Sequence, residues 1–125
     1  MANITLVLEG EKPPSWQDYY AGKVQHWART KMKDAAHQVV TDAVNRYEEA
    51  HGPIAVAFPV RLAYTVFYRT AQRRDLSNIM LKCYEDGIVA LGILPDDSTK
   101  YVAEMTVRAR LDRERPRVEI CIEEI

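Results

Sequence analysis

Cysteine is scarce in this chain of 125 residues: Cys83 and Cys121 are the only two, and they lie far apart. They form no C-x-x-C pair and no zinc-type spacing. The pattern therefore excludes a disulfide scaffold and a zinc site, and reduced thiols in a cytoplasmic protein are expected. Long apolar runs are also missing. No stretch approaches the roughly 20 residues that span a bilayer, so no membrane partner is expected. The opening Met1-Ala2-Asn3-Ile4-Thr5 has no basic segment ahead of an apolar one, so a secretory signal is not expected. There is no internal repeat, low-complexity tract or linker, and residues 1–125 read as one domain. The chain lacks G-x-x-x-x-G-K-[ST], G-x-G-x-x-G and H-E-x-x-H, which removes the common phosphate-loop, dinucleotide and zinc-protease readings. His26, His37 and His51 do not cluster with cysteine and read as structural or solvated.

The composition that remains is 47% hydrophobic and 28% charged, a globular mixture too apolar for extensive disorder. The net charge of −1 is unevenly placed. Residues 1–74 carry ten Lys/Arg and seven Asp/Glu (+3), and residues 75–125 carry seven and eleven (−4). A nucleic-acid surface beside a metal site is compatible with that division, and so is an unremarkable surface.

Ile4 to Leu8 reads as a strand closed by Gly10 and Pro13-Pro14. Ser15-Trp16-Gln17-Asp18 has the S-x-x-D form of a helix start, with a structured loop as the alternative. From about Val24, helical periodicity places Met32, Ala35, Ala36, Val39, Val40, Ala43, Val44 and Tyr47 on one face, up to Gly52-Pro53. Val60 to Arg69 alternates as a strand with Pro59 at its entrance. A second helix is expected from about Asn78 to Ala90, with Met80, Tyr84, Ile88 and Leu91 along one side, Ser77 as its N-cap and Gly92 as its left-handed terminator. Ala103–Ala109 and Val118–Ile122 alternate as strands, and the turn-like Asp112 to Pro116 between them predicts a hairpin. The order β-α-β-α-β-β implies an α+β (α/β layer type) fold, one mixed sheet with both helices packed against it.

Carboxylates carry the chemical interest. Asp75 precedes the second helix and Asp96-Asp97 follow it. They meet only if the chain after Gly92 folds back alongside the helix, or if they belong to the two faces of one groove. Close carboxylates need a cation, and oxygen donors suit Mg²⁺ or Mn²⁺. The plainer reading makes Asp75 a turn residue and Asp96-Asp97 a solvated loop pair. Asn78, Lys82 and Asp86 share one helical face at four-residue steps. Lys82 and Asp86 then form a surface pair, or Lys82 sits near developing negative charge on a phosphodiester. Arg69, Arg73 and Arg74 are either a solvated loop or a grip on DNA phosphates.

Residues 73–102 run Arg-Arg-Asp-Leu-Ser-Asn-x-x-x-Lys, then Glu-Asp-Gly, then Gly-Ile-Leu-Pro-Asp-Asp-Ser-x-Lys-Tyr-Val. This stretch resembles the core of the RusA-like Holliday-junction resolvases, small endodeoxyribonucleases often carried by phages and prophages. Pro13-Pro14-Ser15 with Tyr19-Tyr20, and Pro116-Arg117-Val118-Glu119-Ile120, extend the resemblance to most of the chain. It implies Mg²⁺-dependent cleavage of four-way DNA junctions by a homodimer. Asp75 then matches the first metal-binding aspartate, Asp97 the essential member of the later pair with Asp96 beside it, Lys82 the catalytic lysine, and Asn78 the asparagine of the motif. Two departures stand out. Ser77 replaces the second aspartate, leaving a hydroxyl as metal ligand and one charge fewer. Asp75 and Lys82 are seven residues apart where the family pattern has six, a difference of about 100° on a helix. A non-catalytic junction-binding protein on the same fold is the competing reading, and an unrelated α+β domain the third.

Overall fold

The computed structural model describes residues 3–20 and 26–125. The elements run β1 (Asn3–Glu9), α1 (Trp16–Tyr20), α2 (His26–His51), β2 (Val60–Tyr68), a 3₁₀ turn (Leu76–Asn78), α3 (Lys82–Ala90), β3 (Val102–Leu111) and β4 (Arg117–Glu124). This is the expected α+β arrangement with one mixed sheet, plus the short α1. Ser15 starts α1 by accepting the Asp18 N–H on its hydroxyl at 3.0 Å. The expected beginning of α2 at Val24 lies outside the described residues.

Alternation builds the sheet. Ile4, Leu6 and Leu8 of β1 and Val118, Ile120 and Ile122 of β4 are buried, and the residues between them are more exposed. Against this face pack Ala36, Val40, Ala43 and Val44 of α2 and Cys83, Tyr84 and Ile88 of α3. Met32, Val39 and Tyr47 are partly buried beside them, but Ala35 points to solvent. A Cβ on Gly87 would sit 3.3 Å from the Val40 Cβ, so glycine lets α2 and α3 approach closely. Gly92, at φ +79°, terminates α3 as expected. Its N–H bonds the Val89 carbonyl, and the Ile93 N–H reaches back to Ile88.

The strand order is β1-β4-β2-β3. This corrects the expected hairpin. β3 and β4 are not paired; β2 lies between them, parallel to β3 and antiparallel to β4. Burial explains the insertion. β2 has no exposed residue along its length and suits the interior of the sheet, whereas β3 is mostly exposed and suits an edge. The segment 112–116 crosses the end of β2, a distance of two strand spacings, or roughly 10 Å, which five residues span easily.

The start of α3 is the second correction. The helix begins at Lys82, not Asn78. Ile79 is extended and forms an antiparallel bridge with Ser15, and the Met80 N–H donates to the Pro14 carbonyl at 2.9 Å. Ile79, Met80 and Leu81 are all buried in succession, which one face of a helix cannot achieve. Ser77 is therefore not an N-cap; it lies within the 3₁₀ turn. Leu81 caps α3 without a side-chain bond.

Candidate functional site

Lys82 opens α3 and gathers three carboxylates. Its Nζ lies 3.4 Å from Glu85 Oε2 and 3.3 Å from Asp86 Oδ1, and it is in close contact with Asp97 Oδ2. The first two partners follow from i+3 and i+4 spacing. The third arrives because the chain after Gly92 does fold back. Fully buried Leu94 pins the return, and Asp97 is delivered to the head of the helix. Burial pulls the Lys82 pKa down, but the hydrogen bond and charge of Asp86, aided by Glu85, outweigh it and raise the pKa above its ordinary value. The side chain is thus held as an ammonium.

Glu85 is only 6% exposed, the one charged residue in the core among the described residues. Its Oε1 accepts a long hydrogen bond of 3.4 Å from the Tyr64 hydroxyl on β2. Burial, reinforced by the neighbouring Glu85, raises the Tyr64 pKa well above the usual phenol range, so the hydroxyl keeps its proton. Asp86 and Asp97 remain about two-fifths exposed. Asp96 turns away from this group. Its Oδ1 accepts the Ser98 N–H at 2.7 Å, and bonds from Ser98 hold its carboxyl below the ordinary range.

Asp75 stands elsewhere. It precedes the 3₁₀ turn, with its carbonyl accepting the Asn78 N–H at 2.9 Å. With Lys12, Ser15, Tyr68, Arg73, Arg74 and Asn78 it lines a cleft of about 310 Å³. Arg74 is fixed there by the Thr70 carbonyl at 3.0 Å and by stacking on Tyr68, 3.7 Å from the ring centroid. Arg69 lines an adjoining cleft of about 410 Å³ that shares Lys12, Tyr68 and Arg74. Lys82 and Asp86 instead line a hollow of about 180 Å³ with Trp16, Tyr19, Tyr20 and Lys33. Ser15 and Ile79 belong to the first cleft, and Trp16 and Met80 to this hollow, so the two flank the Ser15–Ile79 bridge.

The structure therefore brings Lys82 and Asp97 together and groups Arg73, Arg74, Asp75 and Asn78. Asp75 borders the Arg73–Arg74 cleft, whereas Asp97 meets Lys82, which lines the hollow across the Ser15–Ile79 bridge. The shared helical face of Asn78 and Lys82 is corrected, since Asn78 ends the 3₁₀ turn before α3 begins. Sequence reasoning did not assign functional roles to Glu85 and Lys12. Nothing local marks Glu85 as buried, because its partner Tyr64 comes from another element. Among the described residues, no group of three or more His, Cys, Asp or Glu is arranged to hold a metal ion. The donor chemistry of Asp86 and Asp97 is that of a hard cation's ligands, but the Lys82 ammonium already lies between them and compensates their charge.

No family model matches the chain, and no curated protein matches it. Among the described residues no helix is long and apolar enough to cross a membrane.

Proposed function

We propose that the protein is a Mg²⁺-dependent, structure-selective DNA endonuclease that nicks four-way junctions as a homodimer in the cytoplasm. The observation that carries this reading is the return of Asp97 onto Lys82 and Asp86, across a small bridge from a cleft lined by Lys12, Arg73 and Arg74. Of the set Asp75, Ser77, Asp96 and Asp97 that the resemblance implies for Mg²⁺ or Mn²⁺, Asp97 alone meets Lys82, and a metal there would have to displace the Lys82 ammonium from Asp97 and Asp86. A bound Mg²⁺ supplies an activated water and neutralises charge on the phosphate. The chain's own work is binding and orientation. Lys12, Arg69, Arg73 and Arg74 grip phosphates on either side of the scissile bond, and Asn78 lies among them. Lys82, held protonated by its acidic neighbours, faces the charge that builds on the phosphate. Two copies related by a twofold axis give the two nicks that a symmetric junction needs.

The test is incubation of a labelled synthetic four-way junction with Mg²⁺, Mn²⁺ or chelator, beside a linear duplex. Paired, metal-dependent nicks in the junction alone are expected. Asp97→Asn should abolish them while junction binding persists. Wild-type cleavage by Asp97→Asn would sink the site assignment.

One observation favours a second reading, a non-catalytic junction-binding protein. Lys82 compensates Glu85, Asp86 and Asp97 internally, and Ser77 brings no charge. That reading expects metal-independent binding without strand cleavage. Ser77→Asp separates the two. Cleavage created from none supports the binding protein, and an altered metal preference supports the nuclease.

A further inference from the structure

An edge strand leaves one row of backbone N–H and C=O groups unpaired, and proteins normally blunt or cover such a row. The two edges of this sheet differ. Along β1, α2 packs beside the strand and the Arg46 guanidinium donates to the Val7 carbonyl at 2.7 Å. β3 is covered less: the 3₁₀ turn approaches it, and Thr70, Ala71, Gln72 and Arg74 border Ala109, Arg110 and Leu111 at its C-terminal end. The strand is ten residues long and pairs with β2 on one side only. Among the described residues, no backbone bond reaches the other side between Ala103 and Leu111, and only the Arg110 guanidinium returns to the Ala109 carbonyl.

The inward row of β3 is Met105, Val107, Ala109 and Leu111, in register with Leu62, Tyr64, Val66 and Tyr68 of β2. It contains no charge and no proline; the edge protections on this strand are the register shift at Ala103 and the charges of Glu104, Arg108 and Arg110 on the other row. Val107 and Ala109 pack against the core, yet Met105 is 53% and Leu111 48% exposed. The apolar layer thus runs to the edge and is left half-exposed there at Met105 and Leu111.

We infer that β3 is the interface between two copies of this chain, paired antiparallel about a twofold axis so that two four-stranded sheets become one. The strand is complementary to itself. Directly opposed residues in an antiparallel pair point to the same face, so pairing must set odd positions against odd and even against even. Centring on Val107 places Glu104 opposite Arg110 and Met105 opposite Ala109 of the second copy. Centring on Thr106 places Glu104 opposite Arg108 and Met105 opposite Val107. Both registers set Met105 against an apolar residue and Glu104, which Arg61 also engages within the chain, against an arginine; neither opposes two arginines, and centring on Val107 avoids the Arg110–Val102 pair that centring on Thr106 creates. Moving the centre to Arg108 sets it against itself and is disfavoured. The interface supplies the surface for the proposed dimer, but it stands on the edge alone: failure to cleave DNA would leave it intact, whereas a monomer would overturn it.

Sedimentation of the purified protein over a range of micromolar concentrations should give twice the 14.4 kDa of one chain. Met105→Lys, at an exposed position, should shift the mass to the monomer with an unchanged circular dichroism spectrum. Val107→Cys or Thr106→Cys should cross-link to its own copy under mild oxidation. A residue on the twofold axis has its partner Cα at about 4.5–5.5 Å, within disulfide reach. Glu104→Cys should not cross-link, and the unaltered protein, with Cys83 buried and Cys121 half-buried, serves as the control. A monomer at every concentration would overturn the inference. So would a dimer in which neither central cysteine cross-links, which decides the matter even if Met105→Lys fails to fold.

Discussion

At the scale of single residues, the charged side chains divide between those that hold the fold and those free to act. Arg117 belongs to the first group. Its side chain is 11% exposed, stacks 3.7 Å from the Phe67 ring centroid, and pairs with Glu119 at 2.7 Å and Asp112 at 2.9 Å. The Arg117 hydrogen bond, with the Arg115 and Glu114 amides, lowers the Asp112 pKa. A carboxyl lowered on folding stabilises the protein above its unfolded pKa of about 3.9, and that contribution is lost as pH falls through the folded value. Asp112→Asn keeps the turn acceptor and removes the titration. Its stability should therefore fall less steeply than the wild type's below about pH 4, as measured by urea unfolding across pH. Tyr64 tests the other buried contact. Tyr64→Phe removes the hydroxyl facing Glu85 and should lower stability by about 1 kcal/mol, read as a lower urea midpoint at unchanged slope.

At the scale of elements, Gly87 marks where two helices meet. A Val at this position would press its branches on Val40 and His37 and force α2 from α3. Gly87→Val should cost about 1–3 kcal/mol despite any gain in helix propensity. The elements themselves were largely legible because their signals are local. Period two marked β2, period 3.6 marked α2, and Gly92 marked the end of α3. The beginning of α3 was not legible, because Ile79 and Met80 are drawn into extended backbone by Ser15 and Pro14, some sixty residues earlier. The hairpin failed for the same reason. The turn-like 112–116 segment shows that β3 and β4 run in opposite directions, but it cannot show that β2 lies between them. In the site, the Lys82–Asp86 pair followed from spacing. The arrival of Asp97 depended on a tertiary return that the sequence left open.

At the scale of the molecule, the basic excess of residues 1–74 is partly concentrated at the C-terminal end of β2, where Lys12, Arg69, Arg73 and Arg74 line adjoining clefts. If DNA lies there, removing one phosphate contact should reduce the slope of log affinity against log salt by about one. Arg73→Ala is the cleaner probe, because Arg74 also secures the Thr70 carbonyl and covers Tyr68. A junction-binding titration between low and moderate salt gives the slope. An unchanged slope would remove Arg73 from the DNA surface.

The order β1-β4-β2-β3 has a consequence in time as well as in space. β4 joins β1 to the rest of the sheet, and Asn3 pairs with Glu123. During synthesis, β1 is made first and waits longest, since its sheet partner is the last strand to appear. β2, α3 and β3 can assemble earlier, but the apolar row of Ile4, Leu6 and Leu8 stays without its neighbour until β4 has emerged. Contacts that close so long a stretch of chain slow folding and prolong the exposure of sticky intermediates. The nascent chain is thus most vulnerable to aggregation between the emergence of β3 and that of β4.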